Sequence, residues 1–482
     1  MVYSLITVLM VALTFSLLLI FKNKISKKYI DLGLKVAAVA FFTLGVFRLF
    51  LNDDFVWMIN GGTYGDTYYK HTDIIQSLLR WGHYLSYVVF PCACFFNKRI
   101  FKNVSIYFCF FVVVIELFFF EKTMVYFLTD SGRGIYLPPI TRYVEYMAEL
   151  FLALLIPLVL RFIVGHKFDV KNKAEWSYFV GILPLMLITV MPVYLLQSLF
   201  GFTNRKMKPL SIENIAWIIV NFVMMAILYI KLKNKDRETK YSTLIFLALL
   251  LFIHYNSIYL MDLVAARLPF QLCNLGAYII LIAFLLRKQS VFNFVFLANV
   301  PGAIIALVAV DASSKLLSFW SIHFYIEHTW VFILPILAVL LGIFERPKIS
   351  SFKHFFIGFT TYFVICATVG IILNCFCYEP YHHFFNKVNY FYIFDTTVIS
   401  FLPFLSFTRK LEILINGTPI YPVYMLLIYI LFTVFCFIFY YVYNVLCDIA
   451  NDHRNLSKIK KQMRIDSGYY EKRKKPIPHD HE

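Results

Sequence analysis

The chain has 482 residues, 60% of them hydrophobic and 15% charged, and a mean hydropathy of +0.72; soluble domains average roughly 45–50% apolar and about 25% charged. A water-soluble globule could not hide 53 Phe and 33 Tyr behind so few charges, so soluble, disordered and fibrous classes are excluded. The composition predicts an all-α, polytopic membrane bundle, and the excess of 45 Lys and Arg over 28 Asp and Glu, net +17, fits the positive-inside bias of loops and not a nucleic-acid partner.

Apolar windows long enough to cross a bilayer core of roughly 30 Å fall at 2–21, 31–51, 75–96, 104–128, 142–164, 178–200, 213–232, 241–261, 268–287, 291–311, 320–344, 354–377 and 419–447. The first has neither a basic region before it nor a small-residue cleavage site, and is read as a retained helix. Basic clusters follow alternate spans: Lys22 to Lys28, Lys98 to Lys102, Lys167 to Lys173, Lys231 to Arg237, Arg287 with Lys288, and Arg346 to Lys353. Only Arg205, Lys206 and Lys208 break the alternation. The N-terminus is therefore expected outside and the tail from Asn451, with its nine Lys and Arg, in the cytoplasm, as in a bacterial cell membrane. That orientation needs an odd number of spans, so about thirteen are expected. The segment 393–407, with its polar start and Pro403, is read as re-entrant or interfacial.

Four regions follow: an extra N-terminal helix with its basic loop (1–30), two six-helix halves (31–240 and 241–450) and the basic tail (451–482). Residues 78–160 and 268–340 share an order: a span, a basic loop (NKRIFKN or RKQSVFN), a span, an outer loop, then ITRYVEYMAELFLALLIPLVL or IHFYIEHTWVFILPILAVL. Six spans per half would make a parallel repeat; the bland alternative is that hydrophobic stretches joined by basic loops resemble each other anyway.

Polar residues inside spans concentrate in the second half: His254, Tyr255 and Asn256 with Asp262 beyond, then Arg267, Gln271, Cys273 and Asn274, then Asn299, then His323, Glu327 and His328, and finally Asn389 and Tyr390. Such residues are costly in a bilayer and point to a site. Cys273 and His328 lie on two inward-running spans at about 8 and 12 Å below the outer end, at 1.5 Å per residue, so they can meet. A thiol beside a His is a nucleophile with its base, and Arg267 or Asn274 would stabilise an oxyanion. His323 and Glu327 are expected on other faces of the helix than His328. Taken alone, Cys273 reads as a small buried hydrophobe and His328 as an interhelical hydrogen-bonding group.

Four pieces in order, LPFQLCNLGAYI (268–279), FYIEHTWVFILPI (324–336), NYFYIFD (389–395) and NGTPIYPVYMLL (416–427), resemble the YwaF-like family of integral membrane proteins over about 240–447. That family includes the vertebrate transmembrane acyltransferase that makes arachidonoyl ether phospholipids. The resemblance implies that Cys273 takes an acyl group from a phospholipid, that His328 assists, with His323 in second place, and that a lysolipid receives the acyl group. Related lipid hydrolases with Thr and His add hydrolysis as an alternative outcome. The chain is about twice a family unit, and its first half offers Trp81, Gly82, His83, Glu145 and Tyr146 where the second has its chemistry.

The function expected is a membrane lipid acyltransferase working through a Cys273 thioester; the alternatives are a transporter or flippase using the same polar cavity, or a non-catalytic membrane protein. Arg267, Gln271, Asn274, Asn299, His323, Asn389 and Tyr390 are the supporting or substrate-binding candidates. No soluble cofactor and no metal are expected: Glu379, His382 and His383, and the tail His479 to Glu482, read as solvated groups. The nine Cys include no CxxC pair, and Cys375 and Cys377 read as buried thiols. Membrane phospholipids are the expected partners, and the polybasic tail would favour anionic headgroups.

Overall fold

The computed structural model describes residues 2–50, 74–118, 139–190, 208–261, 263–310, 316, 319–382, 384–395 and 398–466. The outer loop from Asn52 to Asp73, Arg205, Lys206, Asp262, His383 and the His479 to Glu482 cluster lie outside the described residues. The chain divides into two compact units, Met1–Met425 and Leu426–Glu482.

The first unit is helical almost throughout. Its helices are α1 (Val2–Phe21), α2 (Lys27–Leu49), α3 (Ile74–Phe95), α4 (Arg99–Phe118), α5 (Ile140–Ile163) and α6 (Lys173–Val190). After these come α7 (Ile212–Leu232), α8 (Arg237–Asn256), α9 (Leu272–Leu286), α10 (Gln289–Val308), α11 (Phe319–Leu340) and α12 (Phe352–Ile372). The helix α13 (Pro422–Asp466) leads into the second unit. Nine helices among the described residues are long and apolar enough to cross a membrane. The expected spans that become α3, α6, α8 and α9 are helices too, but shorter or interrupted by polar residues. Among its described residues the stretch 393–407 forms the short helix Val398–Phe401 and the start of a 3-10 segment, Pro403–Lys410.

One departure from the all-α expectation is a hairpin, β1 (Ile413–Ile415) paired antiparallel with β2 (Thr418–Ile420). Its turn is Asn416-Gly417, with φ of +48° and +75°, the left-handed pair that a two-residue hairpin requires and that Asn-Gly adopts most readily. Asn416 and Thr418 bond the Cys375 and Asn374 carbonyls at 3.0 and 3.2 Å, which pins the hairpin to the end of α12.

Burial follows position in the bundle. On α8 nearly every side chain from Leu244 to Asn256 is buried, as expected of a helix apolar all round; it packs on α3 and α6 on one side and on α9 and α11 on the other. The faces of α1 and α7 carry exposed Leu5, Leu9, Leu13, Ile215, Ile219 and Phe222, the surface that lipid would cover.

The same packing plan occurs twice. The helix α1 lies on α5 as α7 lies on α11; α2 lies on α3 and α5 as α8 lies on α9 and α11; the first turns of α4 meet α6 as those of α10 meet α12. Both α4 and α10 contain a six-residue α segment, a five-residue π turn (Ser105–Cys109, Val295–Asn299) and a nine-residue α segment. In each, the Asn two residues before the π turn bonds a His: Asn103 to His166 at 2.7 Å and Asn293 to His354 at 3.2 Å. Counted from the π turns, Gly82 corresponds to Leu272 and Val112 to Gly302. The contact between them is kept with small and large partners exchanged: a Cβ on Gly82 would meet the Val112 methyls at 2.8 Å, and one on Gly302 would meet Leu272 Cδ2 at 3.1 Å. The correspondence also pairs α1 with α7.

Basic loops gather at one end of the bundle. Lys22 donates to the Phe162 carbonyl at 2.8 Å, Lys98 pairs with Asp236 at 3.2 Å, and Arg99 bonds Glu175 and the Lys167 carbonyl. Glu175 lies in the first turn of α6, ahead of its apolar stretch. The hydrogen bond from Arg99 holds its carboxyl down to about 2. His166, in the loop beside it, is lowered to about 4, first by burial and then by the cations Arg99 and Lys102.

The folded protein thus binds a proton at His166 less readily than the unfolded chain, whose imidazole titrates at about 6.5. The His166 contribution to stability is complete above that value and shrinks as the pH falls towards about 4. The Glu175 contribution is lost only at more acid pH, as its carboxyl protonates. Melting of the detergent-solubilised protein should therefore decline from about pH 7 to about pH 5, and His166→Gln should flatten that decline. An unchanged slope in the variant would contradict this assignment.

Candidate functional site

Leu268-Pro269 keeps the chain extended ahead of α9, with Leu268 at φ −57° and ψ 153°. Gln271 is the N-cap residue, so Cys273 sits in the first turn of α9, where amide N–H groups lack intrahelical acceptors. The Gln271 side chain does not cap them. It reaches instead to the segment after α12, where Nε2 donates to the Asn389 carbonyl and Oε1 accepts from the Phe391 N–H, each at 2.9 Å.

That segment is held from several sides. Asn389 Oδ1 accepts from the Phe394 and Asp395 N–H groups at 3.0 and 3.1 Å. The buried Tyr390 donates to the Ala265 carbonyl, and its ring lies 5.0 Å from that of Phe270. Phe391 and Tyr392 are forced to φ of +52° and +57°, a region unfavourable for bulky side chains and kept only where surrounding bonds over-determine it; the Tyr424 hydroxyl supplies one more, to the Tyr392 carbonyl at 3.0 Å. Gln271, Asn389 and Tyr390 thus brace the start of α9.

Around the half-buried Cys273, side chains of α10 and α12 reach the start of α9. Gly302 of α10 lies close to the sulfur, packed against Leu272: a Cβ there would stand 3.9 Å from Sγ and 3.1 Å from Leu272 Cδ2. From α12, the Tyr362 hydroxyl and the Cys366 thiol both donate to the Phe270 carbonyl, at 2.9 and 3.2 Å. On α11, Glu327 is buried one residue before His328. Asn299, at the end of a π turn, donates to the Leu272 carbonyl at 2.6 Å, and its Oδ1 is buried without a hydrogen-bond partner. Such π turns recur at functional sites.

On α11 the three polar residues face different neighbours. His328 Nδ1 lies 2.6 Å from the Phe324 carbonyl; a carbonyl only accepts, so Nδ1 carries the proton and Nε2 presents its lone pair. His323 stacks on His254 at 4.6 Å, approaches the Tyr255 carbonyl at 3.4 Å, and lies 3.9 Å from Glu327. Helices α9 and α11 run the same way, with α10 antiparallel between them, and Gly276 rests on Val331, whose methyls a Cβ on Gly276 would meet at 3.2 Å. One turn back from this contact on each helix stand Cys273 and His328, at the same level.

Arg267 lies just outside the helix start, its guanidinium 3.9 Å over the Trp320 ring and its carbonyl accepting from Tyr255 and Tyr259 at 2.9 and 3.2 Å. Asn274 follows Cys273 in the first turn and is half-buried. His382 Nδ1 accepts from the Phe384 and Phe385 N–H groups at 3.2 and 3.3 Å, a loop-forming role. Cys375 is buried and Cys377 half-buried, both as free thiols.

Sequence reasoning missed three features. Glu327, expected on another face, is buried at the centre with Oε1 lacking a hydrogen-bond partner. Gly302 gave no signal, since its role lies in what it omits. In the first half, Arg48, Glu116 and Glu149 escaped notice, although an ionisable residue in an apolar run is a signal in itself.

The brace is testable. Replacing Gln271 with Leu leaves the Phe391 N–H and the Asn389 carbonyl without partners, at about 1–3 kcal/mol. Gln271→Leu should melt lower than the parent and expose the segment 384–395 to protease; equal melting and equal protection would show that the segment is held by other contacts.

Residues 209–441, just under half of the chain, match the model of the TMEM164 family, a family of membrane proteins. No curated protein and no solved structure matches the chain. The match begins at α7 and so takes in the whole second packing unit, including Cys273, Asn299, His328 and the brace at Asn389: by its sequence as by its helices, this half of the chain is similar to the TMEM164 family.

Proposed function

We propose that the protein is a membrane-embedded acyltransferase that moves a fatty acyl group from a phospholipid to a lysolipid through Cys273. The observation that carries this reading is the arrangement of Cys273 in the uncapped first turn of α9, level with His328, whose Nδ1 is tied to Phe324 so that Nε2 is left as base. The resemblance of the four motif pieces to a family that includes a phospholipid acyltransferase supplies the substrate class.

His328 Nε2 takes the proton from Cys273 Sγ, and the thiolate attacks the carbonyl carbon of an acyl ester. The oxyanion forms near the free amides of Leu272, Cys273 and Asn274, donors of the kind that stabilise such charge. The ester C–O bond breaks, the imidazolium returns its proton to the departing lysolipid oxygen, and a thioester remains on Cys273. The hydroxyl of a second lysolipid then gives its proton to Nε2 and attacks the thioester, restoring the thiol. Every proton taken up is returned. The braced start of α9 keeps the amides in place.

Transfer of labelled acyl chains by the purified protein in lipid nanodiscs tests the reading. Cys273→Ala should abolish transfer, and His328→Ala should lower it by two to four orders of magnitude, the range of general acid–base catalysis. His323→Ala should cost less, because that ring stacks on His254 away from the thiol. Full activity of Cys273→Ala would rule out the acyl-enzyme. A transporter built on the same cavity would instead move lipid equally well with Ala at this position.

A further inference from the structure

The first half contains a buried ionic cluster at the place where the second half has its thiol. Counted from the π turns of α4 and α10, His83 stands at the position of Cys273. Both of its ring nitrogens face carboxylates: Nδ1 is 2.5 Å from Glu116 Oε2, and Nε2 is 2.6 Å from Glu149 Oε1. The other Glu149 oxygen accepts from Arg48 at 3.1 Å. Tyr146 donates to Glu116 and Tyr87 to Glu149, and the Arg48 guanidinium lies 4.4 Å over the Tyr146 ring. The side chains of Arg48, His83, Glu116 and Glu149 are 0–2% exposed.

Proton counting gives this cluster a ligand. A neutral imidazole has one N–H and one lone pair, so it can donate to only one of two carboxylates; the second contact would set lone pair against lone pair. Both contacts are satisfied only when the assembly holds one further proton, on the ring or on a carboxyl. Charge is in keeping with this: Arg48 pairs with Glu149, and carboxylates buried in hydrocarbon are kept beside cations or protons. A polar face also leads away from the cluster. On α5, Arg142, Glu145, Tyr146 and Glu149 fall at the spacing that shares one helix face; all are buried, and they lead from the start of α5 to His83.

We propose that the N-terminal half carries an intramembrane proton-binding site in which His83, bridging Glu116 and Glu149 with Arg48 as counter-charge, takes up and releases one proton along the Arg142–Glu145 face of α5. The groups around His83 come from α2 (Arg48), α3 (Tyr84, Tyr87), α4 (Glu116) and α5 (Arg142, Glu145, Tyr146, Glu149). On α6 and α8, the other helices packed on α3, titratable side chains are engaged elsewhere: Glu175 with Arg99, Tyr178 with Lys235, Tyr241 with the Phe284 carbonyl, and His254 with His323. The bond that forms on uptake is N–H or O–H within the His83–carboxyl pair; the donor is hydronium at the mouth of α5, and release returns the proton to water.

Infrared difference spectra of the full-length protein in lipid nanodiscs, stepped from about pH 4 to about pH 10 across the imidazole and carboxyl ranges, test the proposal. The parent should show one coupled change in imidazole and carboxyl bands that disappears in His83→Gln. Glu116→Gln keeps the shape of the cluster and removes one charge, so it should retain the change with proton affinity reduced about tenfold or more, the effect of a neighbouring charge. This variant also serves if His83→Gln fails to fold. Arg48→Lys should preserve the titration. If the parent shows no such change in that range, the cluster is a fixed structural salt bridge and the proposal is overturned. It is equally overturned if the change is identical in Glu116→Gln, since the titrating group then lies elsewhere.

Discussion

Hydrocarbon offers no hydrogen bonds, so every polar group drawn into the bundle must find its partner within the protein. The arrangement of both halves around α8 depends on this constraint. In the second half the partners are mostly backbone carbonyls: those of Ala265, Arg267, Phe270 and Leu272 accept from Tyr390, from Tyr255 with Tyr259, from Tyr362 with Cys366, and from Asn299. All four precede or begin α9. The side chains of five other elements therefore converge on one short stretch, and a first turn that would otherwise fray is fixed in place with its amide groups uncapped. The Cys273 thiol is set in such a turn, and its position is held by these bonds.

The first half meets the same constraint with ions. Where the second has Cys273 in a short helix that begins at its own first turn, the first has His83 in the interior of α3, enclosed by carboxylates from α4 and α5. The exchange of Gly82 and Val112 for Leu272 and Gly302 shows one helix contact filled in two ways. In the first, valine methyls of α4 fill the contact against Gly82; in the second, the Leu272 side chain fills it against Gly302, beside the Cys273 sulfur. The two positions also differ in burial, His83 wholly buried and Cys273 half-buried, which fits a proton as ligand of the one and an acyl ester as substrate of the other.

The sequence carried the helices well, because an apolar run of about 20 residues has few alternatives in a membrane protein. It carried the positions of Cys273 and His328 through depth alone, since rise per residue is the same in every helix. It did not carry the lateral arrangement. Gln271 and Asn389 look like pocket residues in a motif, and only their shared bonds reveal a brace. Glu327, one residue from His328, lies inside because α11 is surrounded on most sides, so that two adjacent faces are both interior. Asn416-Gly417 is a strong hairpin signal in the abstract, yet beside a long apolar run it reads as the entry to a span.

The central claim is that Cys273 becomes acylated, and trapping the adduct tests it most directly. The purified protein would be incubated with a phospholipid labelled in its acyl chain, quenched in acid, digested and examined by mass spectrometry. The account predicts a label on the peptide containing Cys273, released by neutral hydroxylamine as a thioester is, and increased when no lysolipid acceptor is present. A labelled product formed with no adduct at Cys273, or an adduct that persists in Cys273→Ala, would contradict it.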